Sequence, residues 1–285
     1  MVSDTEIEGS KLLGTFCYNP QAVFPIYFVM RVSKRPSATG FWKKQPPKYG
    51  VEAEWDKDAG NYKLYTHYDR ELAGDDVGVW FSYETTEGEQ LEVRMGVSFV
   101  SVENARLNLE AEQQERSFDD IRAAARRSWN DDLGRIRVEG GTDAQKKVFY
   151  TGLYHALIHP NVLSDVNGEY PAMESAEIRT AEGNRYTVFS LWDTYRNLHQ
   201  LMTLVYPERQ LEMVRSMIGM YKEWGWLPKW ELYGRETFTM EGDPAIPVIV
   251  DTWMKGLRDF DMDAAYEAMR KSATTPGAQN RMRPD

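Results

Sequence analysis

The first third of the chain alternates apolar with polar residues, which is the pattern of half-buried β-strands. The strand-like segments are rich in β-branched and aromatic side chains and cover residues 24–34, 61–68, 77–85 and 91–101. Turn-forming residues separate them at 56–61 and 85–90. Because such strands recur at regular spacing, the pattern predicts an antiparallel β-sandwich domain over residues 1–112.

Apolar positions recur every three to four residues in the rest of the chain, which predicts amphipathic helices. Ser117 and Asp120 have the spacing of a capping box at the start of the first helix. The predicted helices cover residues 117–138, 142–160, 189–208, 208–225, 245–260 and 261–273. Consecutive long helices pack as antiparallel hairpins, so residues 113–285 are predicted to form a helical domain. The predicted fold class is therefore α+β, with more than one domain.

Composition argues against two classes of function. No apolar run approaches the roughly 20 residues that a membrane-spanning helix needs. The formal net charge of −10 repels a phosphate backbone and argues against nucleic acid as a partner.

The single cysteine, Cys17, cannot form an internal disulfide. No basic region followed by an apolar core stands at the N-terminus, so a secretory signal is absent or lies upstream.

A polar cluster stands at the start of the third predicted helix. Trp192 and Asp193 follow Ser190, and helical geometry places Asp193, Arg196 and Asn197 on one face. In one interpretation, Ser190 and Asp193 form a capping box and Arg196 adds an i,i+3 ion pair worth only tenths of a kcal/mol. In the other, the carboxylate, the guanidinium and the amide bind a ligand. The residues alone leave both interpretations open.

Residues 224–243 combine three tryptophans with several charged side chains. Charged side chains are rarely buried unless paired, and aromatic loops with carboxylates often line polar clefts. Glu231 and Glu236 are therefore either ligand-binding residues or parts of a salt-bridged surface connection. Asp251 interrupts an apolar run and is predicted to pair with a cation such as Arg235 or to face a site.

His155 and His159 have the i,i+4 spacing at which two imidazoles can share a zinc ion. A metalloprotease would have glutamate directly after the first histidine, but Ala156 stands there. The simpler interpretation of His159 is a helix-end residue that bonds a carbonyl of the last turn.

Three stretches, in this order, resemble a known family: YHALIHPN, SLWDTYRNLHQLMTL and WELYGRETFTMEGDPAIPVIVDTWMKG. They are similar to glycoside hydrolase family 92, the calcium-dependent exo-acting α-mannosidases. The resemblance extends from FPIYFVMRVSKRP to AYEAMRKSA. It implies an N-terminal β-sandwich and an α/α toroid of six helical hairpins, of which this chain would hold the first few. It also implies cleavage of terminal α-mannose with inversion, calcium as cofactor, and a periplasmic or extracellular location.

The resemblance also assigns site residues. The Trp-Asp pair is similar to the family's motif at the inner end of a toroid helix. Trp192, Asp193 and Arg196 would then line the pocket for the terminal mannose. The further substrate-binding candidates in matching stretches are Glu231, Glu236 and Asp251.

The family's catalytic stretches are missing from this sequence. In the family the proton donor lies in an E-G-N-A type stretch and the base in a G-N-x-D-x-G type stretch. Glu182, Gly183 and Asn184 imitate the first, but Arg185 follows them, so we reject this match. We therefore expect no catalytic residue here, and an internal portion of a longer enzyme that is incomplete at both ends and inactive alone.

Two other classes of function stay open at this point. One is a non-catalytic carbohydrate-binding or scaffold protein, and the other is a toroid glycosidase that acts on a different sugar. The sequence predicts neither the calcium ligands nor the oligomeric state.

Overall fold

The computed structural model describes residues 1–14, 22–43, 55–56, 61–62, 72–74, 77–113 and 116–275. Cys17 lies outside these residues, as does most of the strand predicted at 61–68. The chain divides into two compact units, Met1–Gly9 with Phe28–Gly96 and Ser10–Tyr27 with Val97–Asp285. The domain limit at residue 112 stays a prediction.

Strands prevail in the described residues before position 100. They are β1 (Glu6–Gly14), β2 (Val23–Val32), β3 (Ala38–Lys43), β4 (Trp55–Asp56), β5 (Asn61–Tyr62), β6 (Val77–Ser82) and β7 (Val93–Ser98). One sheet has the order β1-β2-β7, while β3 pairs with β6 and β4 with β5. The predicted strands at 24–34, 77–85 and 91–101 overlap β2, β6 and β7. A sandwich arrangement of these sheets stays a prediction.

The apolar pattern does not predict β3, because a glycine interrupts it at Gly40. That glycine lies opposite Trp80 across the β3–β6 pair, and Trp42 lies opposite Gly78. A Cβ on Gly40 would lie 2.8 Å from the Trp80 ring, and one on Gly78 would lie 2.4 Å from the Trp42 ring. These glycines therefore make room for cross-strand tryptophans, which a pattern of single residues cannot indicate.

Helices prevail in the second unit. They are α1 (Val102–Gln113), α2 (Phe118–Leu133), α3 (Asp143–Ala156), α4 (Leu191–Thr194), α5 (Leu198–Val205), α6 (Pro207–Trp224), α7 (Ala245–Met254) and α8 (Met262–Thr274). Short strands lie between them: β8 (Asn161–Val162), β9 (Glu169–Pro171), β10 (Ile178–Thr180), β11 (Tyr186–Thr187), β12 (Phe189–Ser190), β13 (Trp230–Leu232) and β14 (Arg235–Glu236). Among the described residues, no helix is both long and apolar enough to cross a bilayer.

Local capping signals fix where helices α2 and α3 begin. The predicted capping box of Ser117 and Asp120 is confirmed, with both of its hydrogen bonds formed at the start of α2. Thr142 and Gln145 form a second capping box at the start of α3. A local signal also ends α6. Gly225 follows the helix with a φ of 92°, a left-handed conformation that glycine adopts without strain.

The core of the second unit is centred on α6, which packs against α5, α7 and α8. Its inward-facing residues Met213, Val214, Met217 and Met220 are 0–3% exposed. Leu191, the first residue of α4, is fully buried in the same cluster. One end of the short helix α4 is therefore fixed in the core, and its remaining residues project from it.

The prediction of one continuous helix over 189–208 is wrong. The Tyr195 N–H donates to the Leu191 carbonyl at 3.0 Å, which closes α4, and α5 begins only after Asn197. Asn197 has a φ of −139°, outside the helical region. The Gln200 side-chain amide donates a hydrogen bond to the Tyr195 carbonyl at 2.8 Å. A side chain thus replaces the backbone donor that a continuous helix would supply.

Candidate functional site

The structure brings Trp192, Asp193 and Arg196 together at α4. The Arg196 guanidinium lies 4.9 Å from the ring centre of Trp192 and 5.0 Å from that of Tyr195. Asp193 and Arg196 are exposed, and Trp192 is half-buried. We call the four residues Trp192, Asp193, Tyr195 and Arg196 the Trp-Asp patch. It presents an aromatic surface, a carboxylate and a guanidinium to solvent.

The capping interpretation of this segment is wrong in its details. The Ser190 side chain accepts no hydrogen bond from the backbone of α4, and its hydroxyl donates instead to the Asp193 carboxylate. In the described part of the chain, Arg196 forms no ion pair with Asp193; its Nε–H donates to the Trp192 carbonyl at 3.4 Å. Neither charged group is needed to cap α4, so both remain available to a ligand.

Backbone contacts hold the start of α4. Strand β12 pairs antiparallel with β13, with Ser190 opposite Trp230. The Leu191 N–H donates to the Lys229 carbonyl at 3.2 Å. Trp192 faces the loop after β14, since a Cβ on Gly242 would lie 3.9 Å from its ring. Within residues 224–243, which the sequence left open as a polar cleft or a salt-bridged surface connection, residues 229–242 therefore form the support of the Trp-Asp patch.

Glu231 is fully buried under this support. Its carboxylate accepts from the Thr187 hydroxyl at 2.8 Å, from the Val188 N–H at 3.1 Å and from the Gly234 N–H at 2.6 Å. Val188 and Tyr233 have φ values of 61° and 49°, a strained conformation for residues other than glycine. The carboxylate thus holds two strained turns together, and its burial raises the pKa of Glu231 to about 7.

Glu236 is buried in the same way. Its carboxylate accepts from the backbone N–H groups of Lys229, Trp230 and Phe238 at 2.8, 3.0 and 3.1 Å. Burial raises the pKa of Glu236, and the bonds from these amides oppose the rise. Both glutamates therefore have their carboxylates directed at protein backbone, whereas the sequence offered them as substrate-binding candidates or as surface residues. The surface interpretation is wrong.

Asp251 pairs with Lys255, the residue that follows α7, at 2.7 Å. The prediction that Asp251 pairs with a cation is confirmed, but the cation is Lys255 and not Arg235. Arg235 donates to the carbonyls of Val23 and Ser175 at 3.1 and 3.2 Å and lies 3.7 Å from Glu174. Sequence alone could not separate these partners, because an i,i+4 lysine and a distant arginine both satisfy the charge.

A buried polar chain behind α4 was missed by the sequence analysis. His199, which is 1% exposed, has Nε2 3.1 Å from the Thr194 hydroxyl and Nδ1 3.0 Å from Gln210 Oε1. Gln210 Nε2 donates to Thr252 Oγ1 at 2.9 Å. The available signal was a histidine and a glutamine among apolar helical positions, but periodicity does not show that they meet.

The remaining sequence candidates have other surroundings. His159 Nδ1 lies 3.3 Å from Asn161 Oδ1 rather than at a helix carbonyl. Asn184, of the rejected E-G-N stretch, donates to both carboxylate oxygens of Glu212 at 3.2 and 3.1 Å. A cavity of about 470 Å³ is lined in part by His159, Tyr186, Arg209 and Glu212, and by none of the six predicted site residues.

Comparison with known proteins identifies the family. Residues 1–98 match the N-terminal domain of glycosyl hydrolase family 92, and residues 104–284 match its catalytic domain. The chain belongs to glycosyl hydrolase family 92. The family predicted from the three stretches is thereby confirmed.

Solved structures of family members resemble this family 92 chain closely. A family GH92 alpha-mannosidase from Bacteroides thetaiotaomicron is 30% identical, with a TM-score of 0.81 over 98% of this chain and 36% of that one. The same enzyme is also known in complex with mannoimidazole. A family GH92 inverting mannosidase from Bacteroides thetaiotaomicron VPI-5482 is 28% identical, with a TM-score of 0.83 over 97% and 35% of the two chains.

A curated relative gives the same picture at the level of sequence. It is an uncharacterized secreted glycosidase from Arthroderma benhamiae, 28% identical over 189 residues, which are 65% of this chain and 20% of that protein. The family 92 chain thus spans about a third of the length of the solved structures, since it covers 36% and 35% of those two chains. Its sheets and helices are those of the family.

Proposed function

We propose that the protein is an α-mannosidase that releases terminal α-linked mannose from glycans with inversion, and that the Trp-Asp patch binds the terminal sugar. The observation that carries the proposal is the cluster of the half-buried Trp192 with the exposed Asp193 and Arg196 in a family 92 chain. Solved relatives described as alpha-mannosidases, one of them as inverting and one with bound mannoimidazole, support the choice of mannose.

Each member of the patch has a role that suits a sugar. The Trp192 ring offers an apolar face for the apolar face of a pyranose, and Arg196 already stacks on its own side of that ring. Asp193 accepts hydrogen bonds from sugar hydroxyls, and Arg196 donates to sugar oxygens. Charge-assisted bonds of this kind are about twice as strong as neutral ones.

In this proposal, Glu231, Glu236 and Asp251 affect sugar binding indirectly and do not touch the sugar. The carboxylates of Glu231 and Glu236 are buried and bonded to protein donors, so they hold the loops under the patch. Asp251 is paired with Lys255, and it supports α7 rather than touching the sugar.

The catalytic pair is proposed to lie outside this chain. Inversion requires a general acid and a general base about 6.5–9.5 Å apart, on opposite sides of the scissile bond. The two stretches that carry them in the family do not occur in this sequence. We therefore expect the 285-residue chain to bind sugar weakly at most and not to hydrolyse it.

Calcium is the cofactor that the family resemblance implies. Calcium takes six to eight oxygen ligands, mostly carboxylates and carbonyls. Among the described residues, no three His, Cys, Asp or Glu side chains converge on one point. We assign none of them to calcium, and no step above depends on it.

The secreted relative from Arthroderma benhamiae supports a periplasmic or extracellular location. Mannose-containing glycans are accessible there, which agrees with the proposed substrate. Nucleic acid is not proposed as a partner, in keeping with the net charge of −10.

The test is release of mannose from α-1,2-mannobiose, with calcium present, by the 285-residue chain and by the longest product of its gene. We expect turnover by the longer protein alone. In that protein, Asp193→Asn should lower kcat/KM at least about tenfold, the equivalent of one charge-assisted bond, without changing Tm. Equal losses of activity and Tm would contradict sugar binding by Asp193.

Two further results would redirect the proposal. Turnover by the 285-residue chain at a rate near that of the longer protein would place the catalytic pair within these residues. Sugar binding by the longer protein without hydrolysis of any mannoside or glucoside would favour the non-catalytic carbohydrate-binding class.

A further inference from the structure

Helix α4 carries the core of the Trp-Asp patch but cannot maintain its own conformation. It has four residues, and isolated helices shorter than about 12–15 residues are marginal in water. Its orientation is therefore set by contacts at its two ends. The start is held by the bond from Leu191 to Lys229, and the end by the contact of Thr194 with His199.

The hydrogen bonds around His199 run in one direction. The carbonyl oxygen of the Gln210 side chain faces Nδ1, so Nδ1 carries the proton and donates. Burial lowers the pKa of His199 to about 4, so the ring is neutral and Nε2 accepts from the Thr194 hydroxyl. Gln210 then donates to Thr252, whose hydroxyl donates to the Val248 carbonyl at 2.7 Å.

This chain of bonds connects α4 to the core. Thr194 belongs to α4, His199 to α5, Gln210 to α6 and Thr252 to α7, and the last three residues are at most 1% exposed. A histidine that only filled space would need no bond directed at α4. Instead, its Nε2 contacts Thr194 in the short helix that carries the patch, and its Nδ1 contacts Gln210 in α6, which in turn donates to Thr252 in α7.

We propose that His199 is a positioning residue for sugar binding, which fixes Thr194 and through it the turn that presents Trp192 and Asp193. The proposal rests on the proposed function of the Trp-Asp patch. His199 itself is buried and does not touch the sugar. Its effect on binding is transmitted through Thr194.

Two pairs of variants in the longest gene product separate positioning from stability. Glutamine at position 199 extends its amide oxygen to where Nε2 lies, so it keeps an acceptor for Thr194 and loses the contact with Gln210. Asparagine reaches only as far as Nδ1, so it keeps the contact with Gln210 and loses Thr194. Both are buried amides. In the second pair, Thr194→Ser keeps the hydroxyl, and Thr194→Val replaces it by a methyl group of similar size.

We expect His199→Asn and Thr194→Val to lower kcat/KM for α-1,2-mannobiose about tenfold, mainly through KM, because loss of one buried hydrogen bond frees the turn. His199→Gln and Thr194→Ser should stay within about threefold of the parent protein, because both keep the hydrogen bond between residues 194 and 199 that positions the turn. The proposal would be overturned if the two variants of a pair lowered kcat/KM equally. It would also be overturned if the loss of kcat/KM followed the loss of Tm across the four variants.

Hydrogen exchange on the same proteins decides the inference independently of activity. Amides of residues 191–196 should exchange about tenfold faster in His199→Asn than in His199→Gln, while those of α6 exchange alike. If the parent protein hydrolyses no mannoside, the proposed function fails and exchange alone judges the positioning role. Unchanged exchange at 191–196 in His199→Asn would refute that role.

Discussion

Replacing Glu223 with glutamine is expected to destabilise the protein far more than replacing a surface glutamate. Glu223 and Arg185 are 3% and 4% exposed, and Arg185 donates to both carboxylate oxygens, at 3.0 and 2.9 Å. The Tyr170 hydroxyl and the Met173 N–H donate to the same carboxylate, each at 2.8 Å. The cluster fastens the segment between β9 and β11 to α6.

The magnitude follows from what glutamine cannot do. It keeps the shape of Glu223 but has one acceptor oxygen instead of two, so its NH₂ group faces donors. It also leaves the Arg185 guanidinium buried without a counter-charge. Removing one partner of a buried ion pair costs about 3–5 kcal/mol. Exposed pairs are worth about 0–1 kcal/mol, and Arg179–Glu177, with side chains 39% and 58% exposed, is the matched control.

Urea denaturation of the parent protein and the variants measures the free energy of unfolding. We expect a loss of about 3–5 kcal/mol for Glu223→Gln and less than about 1 kcal/mol for Glu177→Gln. The double variant Arg185→Met/Glu223→Gln removes both charges and keeps an acceptor oxygen for the donors Tyr170 and Met173, so it should lose less than Glu223→Gln alone. A loss below about 1 kcal/mol for Glu223→Gln, or a double variant less stable than the single one, would refute the reasoning.

Three further predictions concern other positions. Gly219→Ala should lower Tm although alanine is the better helix former, because its Cβ would lie 2.6 Å from Arg185 Nη1. Burial raises the pKa of Glu231 from 4.5 to about 7, so the folded state retains a proton that the unfolded state releases. The stability from this group is therefore full below about pH 4.5 and falls by about 3 kcal/mol as the pH rises to about 7. Denaturation across that range should show a Glu231→Gln variant without this loss. Cys17→Ser should change neither activity nor oligomeric state, and a reducible dimer on a gel would contradict this.

Local signals in the sequence predicted the parts of the fold that depend on few residues. The capping box at Ser117 and Asp120 is confirmed because its bonds form within one turn of helix. The break at Asn197 was not predictable in this way, since apolar spacing continues across it and the interruption depends on the side chain of Gln200. The family could be predicted from the order of the three stretches along the chain, because that order does not depend on how the side chains pack.

Prediction of the candidate site was less complete, because charge alone does not indicate burial. The sequence grouped Asp193, Glu231 and Glu236 as carboxylates of one site. In the structure the first is exposed, while the other two are at most 1% exposed. A buried carboxylate must find donors within the protein. Glu231 takes them from Val188, 43 residues away, and from nearby Gly234, while Glu236 takes them from backbone N–H groups within seven residues. Those donors are set by tertiary structure, so motif and composition could not separate the surface group from its supports.

The supports act on the two ends of α4 through different chemistry. At its start, Lys229 connects two bonds: its N–H donates to the Glu236 carboxylate, and its carbonyl accepts from the Leu191 N–H. At its end, Thr194 donates to His199. Since four residues provide too few hydrogen bonds of their own to fix a helix, the position of Asp193 depends on buried groups that never reach the surface. In the proposed function, these buried polar residues would affect sugar binding through the position of α4, in addition to their contribution to the fold.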